Sequence, residues 1–360
     1  MYFRYVSPLL IVPFTAKTGG VMRPTARIRI DAYACLCYTR RSNFAKLPDR
    51  NAQTQMTAWL ESLTASPSFG EILALSSGLV WAIAVILFRV SGRKIHPIGL
   101  NLFKTVLALV IMAPTMLVLR EPLFPAVPAS TTGLLLISGA LGVALSDTLF
   151  FHSLNRLGAS LVAIVDCFYS PFVIGLSFLL LGEKMTAWQL AGAALVVSAV
   201  LTISREKRAE KLDGRNLALG ILYGILAMFF VAFGIVMVKP ALGSVSVVWA
   251  TLVRLAGGAA ALVLLVPFLS NRRAILGPLA DRGNWKALVP ASFFGSYLSL
   301  ILWMGGMKYA KVSVAAILNQ LNTIFIVIIA AFFLKERLTG WKIAAVVLAF
   351  LGAYLASMPF

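Results

Sequence analysis

The chain has 360 residues, of which 60% are hydrophobic and 12% are charged, and its mean hydropathy is +0.89. This composition excludes a water-soluble protein and predicts an integral membrane protein. The 32 Lys and Arg outnumber the 13 Asp and Glu, and in a membrane protein such an excess is typical of cytoplasmic loops, so it does not indicate a nucleic-acid partner.

The first 68 residues differ from the rest because they are polar and basic, with nine Lys or Arg and three acidic residues. An apolar stretch over 5–14 contains two prolines and lacks a small-residue cleavage site, which fits a signal peptide poorly. We interpret 1–68 either as a disordered extension, for which a transit peptide is one reading, or as sequence upstream of a true start at Met56.

From Gly70 onward, apolar stretches of about 18 to 24 residues follow one another, each long enough to cross a hydrocarbon core of roughly 30 Å as a helix. Charged and turn residues separate these stretches. The sequence therefore predicts an all-α integral membrane protein with ten transmembrane helices. The predicted spans are 71–90, 97–119, 131–153, 159–181, 187–204, 216–238, 246–269, 286–307, 312–334 and 341–358.

The chain matches itself when it is shifted by 153 residues. In the polar loop after the fourth span, Leu181, Glu183, Thr186 and Trp188 fall on Leu334, Glu336, Thr339 and Trp341. In the preceding helix, Asp166 falls on Asn319, and a shift of 150 residues places Lys104 on Arg254. Apolar helices aligned by chance would not share the pattern Glu-x-x-Thr-x-Trp, so we predict repeats at 69–204 and 216–358, joined by a charged linker at 205–215.

Each predicted repeat contains five helices. Because five is an odd number, the second repeat starts on the opposite side of the bilayer, and the two repeats have inverted topology. This arrangement is typical of carriers that work by alternating access, with the substrate site near the bilayer midplane where the repeats meet. The sequence contains no Walker A motif that would bind ATP.

The polar loop carries a longer pattern. It reads Pro171…Leu180-Leu181-Gly182-Glu183-Lys184-Met185-Thr186-x-x-Gln189-x-x-Gly192, with the echo Phe333-Leu334-Lys335-Glu336-Arg337-Leu338-Thr339. Ten helices in two five-helix repeats with this pattern resemble the EamA family of the drug/metabolite transporter superfamily. The resemblance covers about 70–358 and implies a membrane transporter without specifying the substrate. The chain departs from the pattern at Ile324, which stands where the first repeat has Pro171, and in the basic stretch before Met56.

Away from the span ends, four charged residues lie inside the predicted spans, where lipid exposure would cost several kcal/mol, so they are expected to face a cavity or a partner. They are Lys104, Asp147, Asp166 and Arg254. The third and fourth spans form a hairpin that places Asp147 and Asp166 at one membrane level, and the start of the second span brings Lys104 near them. We predict a Lys/Asp/Asp cluster, and an inverted counterpart made of Arg254, Asn319, Gln320 and Asn322.

These residues are candidate substrate-binding groups. Lys104 and Arg254 could bind a carboxylate or a phosphate, whereas Asp147 and Asp166 could bind an amino group or carry a coupled proton. In the alternative interpretation, Lys104 snorkels towards the interface and pairs with one of the two acids as a structural tie. Asp166 is also five residues before a proline, which frees a backbone carbonyl inside the helix.

Three aromatic residues, Trp81, Tyr169 and Tyr297, fall at mid-helix rather than at the membrane interface. They could form cavity walls or cation–π contacts, and ordinary helix packing is the alternative. For Glu183 and Glu336 we expect a structural role in loops, and Thr186-x-x-Gln189 has the form of a helix capping box.

The loops after the odd-numbered spans, together with the span ends that flank them, carry 16 of the 32 Lys and Arg, and those after the even-numbered spans carry five. We call the membrane face with the first set the basic face. The positive-inside rule places this face in the cytoplasm and both termini outside, although the basic extension favours the opposite orientation.

The sequence thus predicts a secondary carrier that exports a small organic metabolite, such as an amino acid or an amphiphilic compound. The alternatives are a carrier of phosphorylated or other anionic solutes, a lipid scramblase or channel-like protein, and a membrane-embedded enzyme. Expected partners are the small-molecule substrate and the lipid bilayer, with protons as a candidate coupling ion. The expected location is the inner membrane of a bacterium, and the oligomeric state, a homodimer included, stays open.

Neither a cofactor nor a metal nor enzymatic activity is expected. Cys35, Cys37 and Cys167 have neither disulfide-framework nor zinc-site spacing. His96 and His152, which fall near helix ends, show no hydrolase or metal motif.

Overall fold

The computed structural model describes residues 68–182, 186–203, 213–310 and 312–356, and these residues form helices joined by turns, with no strand among them. They lie within one compact unit, Glu61–Phe360. The predicted extension up to residue 67, most of the predicted linker (205–212) and Glu183 lie outside the described residues. The side chain of Gln320 is also outside the description.

The described residues contain eleven helices, of which seven (α1 to α4, α6, α7 and α9) are long and apolar enough to cross a membrane. Three others contain shorter apolar stretches, Ala187–Thr202, Leu321–Phe333 and Gly340–Leu355. The protein is therefore an all-α membrane protein, and only the short helix α8 falls outside the predicted spans. The helices are α1 Phe69–Ser91, α2 Pro97–Val118, α3 Ala129–Leu157, α4 Ala159–Leu181, α5 Ala187–Ile203, α6 Gly214–Leu242, α7 Val247–Phe268, α8 Arg272–Ala280, α9 Arg282–Tyr309, α10 Val312–Phe333 and α11 Gly340–Ala356.

The helix starts follow local capping signals. Before α5, the Thr186 amide donates to Gln189 Oε1 at 2.9 Å and the Gln189 amide donates to Thr186 Oγ1 at 3.3 Å, which confirms the predicted capping box. The Lys342 amide donates in the same way to Thr339 Oγ1 before α11. Each of these contacts satisfies an amide that the first helical turn leaves without a partner.

Two long helices each contain one π-helical turn. The turn in α3 spans Ala140–Leu145, and the turn in α9 spans Phe293–Leu298. Their first residues differ by 293 − 140 = 153 positions, which equals the shift of the internal sequence match. A π turn inserts one extra residue into a helix and often occurs at a functional site.

The helix α4 is interrupted at Cys167 and Phe168, between the segments Ala159–Asp166 and Tyr169–Leu181. Pro171 lies four residues after Cys167, so its ring and its missing amide disrupt the helix there. In α10, Ile324 occupies the equivalent position, and the helix is continuous from Val312 to Phe333. The difference between the two halves of the sequence thus produces a difference between the two helices.

The two halves of the chain pack into each other. The first helix of each half lies against the third and fourth helices of the other: α1 packs on α9 and α10, and α6 packs on α3 and α4. The last helices, α5 and α11, lie side by side, and a Cβ on Gly352 would be 2.7 Å from the Gly192 carbonyl oxygen. Space at the centre of the molecule is therefore bounded by helices of both halves.

Replacing Gly139 by alanine should destabilise the protein by about 1–3 kcal/mol through overpacking. At this position α3 crosses α7 so closely that a Cβ would collide with the carbonyl oxygen of Arg254. At Gly133 in the same helix, no described atom lies within 4 Å of the position that a Cβ would take, so Gly133→Ala should be neutral or slightly stabilising. Thermal unfolding in detergent compares the two variants, and equal midpoints would contradict the close crossing.

Candidate functional site

A cavity of about 140 Å³ lies between the two halves, with both π turns in its wall. Its lining combines charged, aromatic and small polar side chains. The charged residues are Lys104, Asp147, Asp166 and Arg254, the aromatic ones are Trp81, Phe150, Tyr169 and Trp303, and the small polar ones are Ser77, Ser146, Ser296, Ser299, Asn319 and Asn322.

The lining includes eight of the ten residues that the sequence singles out. All four charged residues are among them, together with Trp81, Tyr169, Asn319 and Asn322. Tyr297 does not line the cavity, because its hydroxyl lies 2.7 Å from the Thr115 hydroxyl on α2. Nothing is described for the side chain of Gln320.

Lys104 and Asp147 form an ion pair at the cavity wall, with 2.6 Å between Lys104 Nζ and Asp147 Oδ2. The Lys104 side chain is 3% exposed and that of Asp147 is 21% exposed. The pair therefore fits the interpretation of Lys104 as a structural tie, yet Asp147 still faces the cavity. A buried lysine with a carboxylate partner avoids most of the cost of an uncompensated charge.

Arg254 extends from α7 into the same cavity and is 2% exposed. Its Nη1 donates to Met304 Sδ at 3.5 Å, and its guanidinium carbon is 5.5 Å from the centre of the Trp303 ring. Among the described residues, its Nε has no hydrogen-bond partner and no carboxylate lies within 4.0 Å of its side chain. Arg254 thus presents a buried charge next to a thioether and an aromatic ring.

Asp166 lies in α4 just before the break at Cys167 and is 5% exposed. In the described part of the chain, its Oδ1 has no hydrogen-bond partner and no Lys or Arg lies within 4.0 Å of its carboxyl group. The predicted Lys/Asp/Asp cluster is therefore divided: all three residues line one cavity, but only Asp147 is bonded to Lys104. Asp166 can accept a proton or a cationic group from the cavity.

Asn101 on α2 stabilises the π turn of α3 through side-chain hydrogen bonds. Its Nδ2 donates to the carbonyl oxygens of Val143 and Ala144 at 2.8 and 2.9 Å, and to Thr148 Oγ1 at 2.9 Å. Because Asn101 is fully buried, it binds carbonyl groups that the irregular turn directs out of the helix. It thereby holds the stretch of α3 that carries Ser146 and Asp147 at the cavity.

Several lining residues were missed by the sequence analysis. Trp303 is a mid-helix aromatic residue, so the criterion applied to Trp81 and Tyr169 would also have found it. The lining serines Ser77, Ser146, Ser296 and Ser299 gave no usable signal, because serine is common at ordinary contacts between membrane helices.

Three other titratable residues, His96, His152 and Cys167, do not line the cavity. His96 and His152 pack edge to face with 5.6 Å between their ring centres, where α2 begins and α3 ends. Cys167 is buried, with its Sγ 3.4 Å from Thr323 Oγ1. In the described part of the chain, no three His, Cys, Asp or Glu residues are grouped so that they could hold a metal ion.

Comparison with known proteins identifies relatives over most of the chain. An uncharacterised transporter of Archaeoglobus fulgidus is 25% identical over 298 residues, which are 80% of this chain and 98% of the relative. Protein PecM of Dickeya dadantii is 27% identical over 222 residues, covering 60% of this chain and 70% of PecM. A protein of known crystal structure shares the fold with a TM-score of 0.58 at 16% identity, over 81% of this chain and 98% of that one.

The match to a family model is more extensive than a single shared motif. The model of the EamA-like transporter family matches twice, over residues 68–205 and 218–358, and so covers both halves of the chain. Together with the all-α membrane fold, these matches make the protein a membrane transporter that belongs to the EamA-like transporter family.

Proposed function

We propose that the protein is a secondary carrier with ten transmembrane helices in two inverted repeats, and that it exports a small organic metabolite by alternating access. The observation that carries the proposal is the cavity between the halves, in which a buried guanidinium and a buried carboxyl group each have polar atoms without a partner among the described residues. Unpaired buried charges are costly in a membrane protein, so they usually serve a substrate or an ion.

Three observations support the inverted repeats, with boundaries at 69–204 and 216–358 and a linker at 205–215. The two π turns are separated by the same 153 residues as the matching loops, and the first helix of each half packs into the other half. The family model also matches each half separately. Ten crossings follow if the shorter apolar stretches of α5, α10 and α11 span the bilayer with their flanking turns.

The cavity favours a substrate with a carboxylate at one end. Among the described residues, Arg254 Nε has no partner and is a donor for a carboxylate, and Asp166 Oδ1 has no partner and is an acceptor for an ammonium group or a proton. The rings of Trp81, Tyr169 and Trp303 supply an apolar wall. An amino acid or a comparable amphiphilic compound satisfies all three features, and Asp166 is then the group that a coupled proton would occupy.

A carrier of phosphorylated or other strongly anionic solutes is the second candidate. It would use both cations of the described cavity lining, Lys104 and Arg254. However, Lys104 is already bonded to Asp147, so of these two only Arg254 stays uncommitted. One such cation matches a single carboxylate better than a phosphate dianion, which would need a second positive charge.

Metabolite profiling of cells tests the proposal. A small metabolite should accumulate outside cells that overproduce the protein, and Asp166→Asn at equal protein level should lower this accumulation at least tenfold.

In liposomes containing the purified protein, uptake of that metabolite should saturate and should accelerate when unlabelled metabolite is present inside. Uptake without saturation would indicate a channel or a scramblase, chemical conversion in detergent would indicate an enzyme, and full activity of Asp166→Asn would remove this residue from the site.

A further inference from the structure

One carboxylate connects the two halves of the chain near the basic face. Glu336, in the loop between α10 and α11, accepts hydrogen bonds from the first two amides of α4: the Ala159 amide donates to Oε1 at 3.0 Å and the Ser160 amide donates to Oε2 at 3.1 Å. The bonded residues are 177 and 176 positions apart in the sequence. The contact is therefore a link between the predicted repeats.

The local structure is adapted to this contact. The first amides of a helix have no partner within the helix, and its N-terminus attracts negative charge. Gly158, with φ of +85°, turns the chain into α4, and a Cβ there would lie 3.0 Å from Glu336 Oε1. The residue before the helix thus leaves room for the carboxylate, in a backbone conformation that glycine adopts at no steric cost.

Arg89 reinforces the same corner from the first half. Its Nη1 donates to the carbonyl oxygens of Leu154 and Asn155 at the end of α3, at 2.9 and 3.0 Å. Its positive charge is also near enough to attract Glu336. The hairpin between α3 and α4 therefore has a cation at the carbonyl end of one helix and an anion at the amide end of the next, which suits both helix dipoles.

A layer of packed side chains separates the cavity from the basic face at this corner. All eight residues of Ala159–Asp166 are buried, and Phe88, Phe151 and Leu154 are at most 1% exposed. Asp166, at the inner end of this segment, lines the cavity, whereas Ala159, at its outer end, is bonded to Glu336. An opening towards the basic face that moves α4 away from the α10–α11 loop would break both hydrogen bonds to Glu336.

We propose that Glu336 is a latch that holds the carrier closed at the basic face and that is released once in each transport cycle. This inference rests on the proposed alternating access. Two charge-assisted hydrogen bonds stabilise the closed arrangement, and both are lost when the halves separate. Once they are released, the two backbone amides and the carboxylate can bind water instead, so the latch can open reversibly. Glu336 acts on α4 and does not touch the cavity, so it is a positioning residue.

Thiol labelling tests the latch without any knowledge of the substrate. The background is the full chain with Cys35, Cys37 and Cys167 replaced by alanine. The reporter is Ala163→Cys, which lies in α4 one helical turn further from the basic face than the amides that bind Glu336. A charged, membrane-impermeant methanethiosulfonate is added from the basic face, using vesicles of both orientations. We expect Glu336→Ala to raise the labelling rate at least tenfold. Glu336→Gln should raise it less, since the amide keeps one acceptor oxygen.

Asp213→Asn is the matched control, because Asp213 is an exposed carboxylate that precedes α6 and makes no side-chain capping bond. It should leave the labelling rate within twofold. Labelling within twofold in a folded Glu336→Ala variant would overturn the latch. Failure of both Glu336→Ala and Glu336→Gln to yield a monodisperse protein would also overturn it, since the contact would then be required for folding.

A second reporter, Ser296→Cys in the cavity wall, separates the latch from the carrier mechanism. With Glu336 present, it should be labelled from the face opposite the basic face, and Glu336→Ala should lower that rate at least threefold as the population shifts. If Ser296→Cys is labelled from neither face in any variant, alternating access itself fails. If it is labelled normally and does not respond to Glu336→Ala, only the latch fails.

Discussion

Replacement of Arg254 by alanine should abolish transport and leave the protein folded. The guanidinium is bonded to no described carboxylate and lies against Met304 Sδ and the Trp303 ring. Asp147, whose charge also attracts it, is already paired with Lys104. Its removal therefore strands no opposite charge, and the loss of a buried, unpaired cation should keep the thermal midpoint unchanged or raise it. A substrate carboxylate would lose its charge-assisted hydrogen bonds, so we expect kcat/KM for export to fall at least 100-fold, or about 2.7 kcal/mol.

Arg254→Lys distinguishes a bidentate binding role from a requirement for positive charge alone. A lysine keeps the charge but cannot form two parallel hydrogen bonds or stack on Trp303 in the same way, so it should recover at most a tenth of the activity. Arg93→Ala, at an exposed arginine on the basic face, is the control and should transport normally. Normal transport by Arg254→Ala, or its failure to fold, would remove Arg254 from the proposed site.

The charged part of the site was predictable because the bilayer makes charge conspicuous. Exposure to lipid is costly for a charged side chain. A lysine, arginine or aspartate within an apolar stretch of about 20 residues therefore usually faces a cavity or a partner. This reasoning identified Lys104, Asp147, Asp166 and Arg254, which all line the cavity. The sequence could not show whether Asp147 or Asp166 pairs with Lys104, since that depends on the rotation of α3 and α4 about their axes.

Tyr297 shows how irregular helix geometry defeats a prediction from position. It lies at mid-helix, but within the π turn Phe293–Leu298. The extra residue of a π turn changes the direction of the side chains around it. Ser296 and Ser299 consequently line the cavity, whereas Tyr297 reaches Thr115 on α2. No local sequence signal marked either π turn.

Glu336 illustrates a second limit of the sequence. Its place in a loop was correctly read, and a structural role was expected there. Its actual partners are the amides of Ala159 and Ser160 in the other half of the chain. Backbone amides carry no sequence signature, so only the tertiary packing of α4 against the α10–α11 loop could reveal the contact.

Removing Asp147 should lower the stability of the protein more than removing its partner Lys104. Asp147→Leu leaves Lys104, whose side chain is 3% exposed, without its counter-charge, and this should destabilise the protein by about 3–5 kcal/mol. Lys104→Met leaves Asp147 instead, which is 21% exposed and lies close enough to Arg254 for their charges to attract. Lys104→Met should therefore be clearly more stable than Asp147→Leu, as measured by thermal unfolding.

The transport activity of these variants should not follow their stability. In Lys104→Met, Asp147 has lost its partner and can compete with the substrate for Arg254. Lys104→Met should thus lower substrate affinity at least tenfold although the protein is folded. The double variant Lys104→Met/Asp147→Leu removes both charges and leaves Arg254 uncommitted, so it should recover both stability and most of the affinity. If the double variant is folded but inactive, one of the two residues binds the substrate directly. Recovery would instead show that the pair serves to keep Asp147 away from Arg254, so that the guanidinium stays available to the substrate.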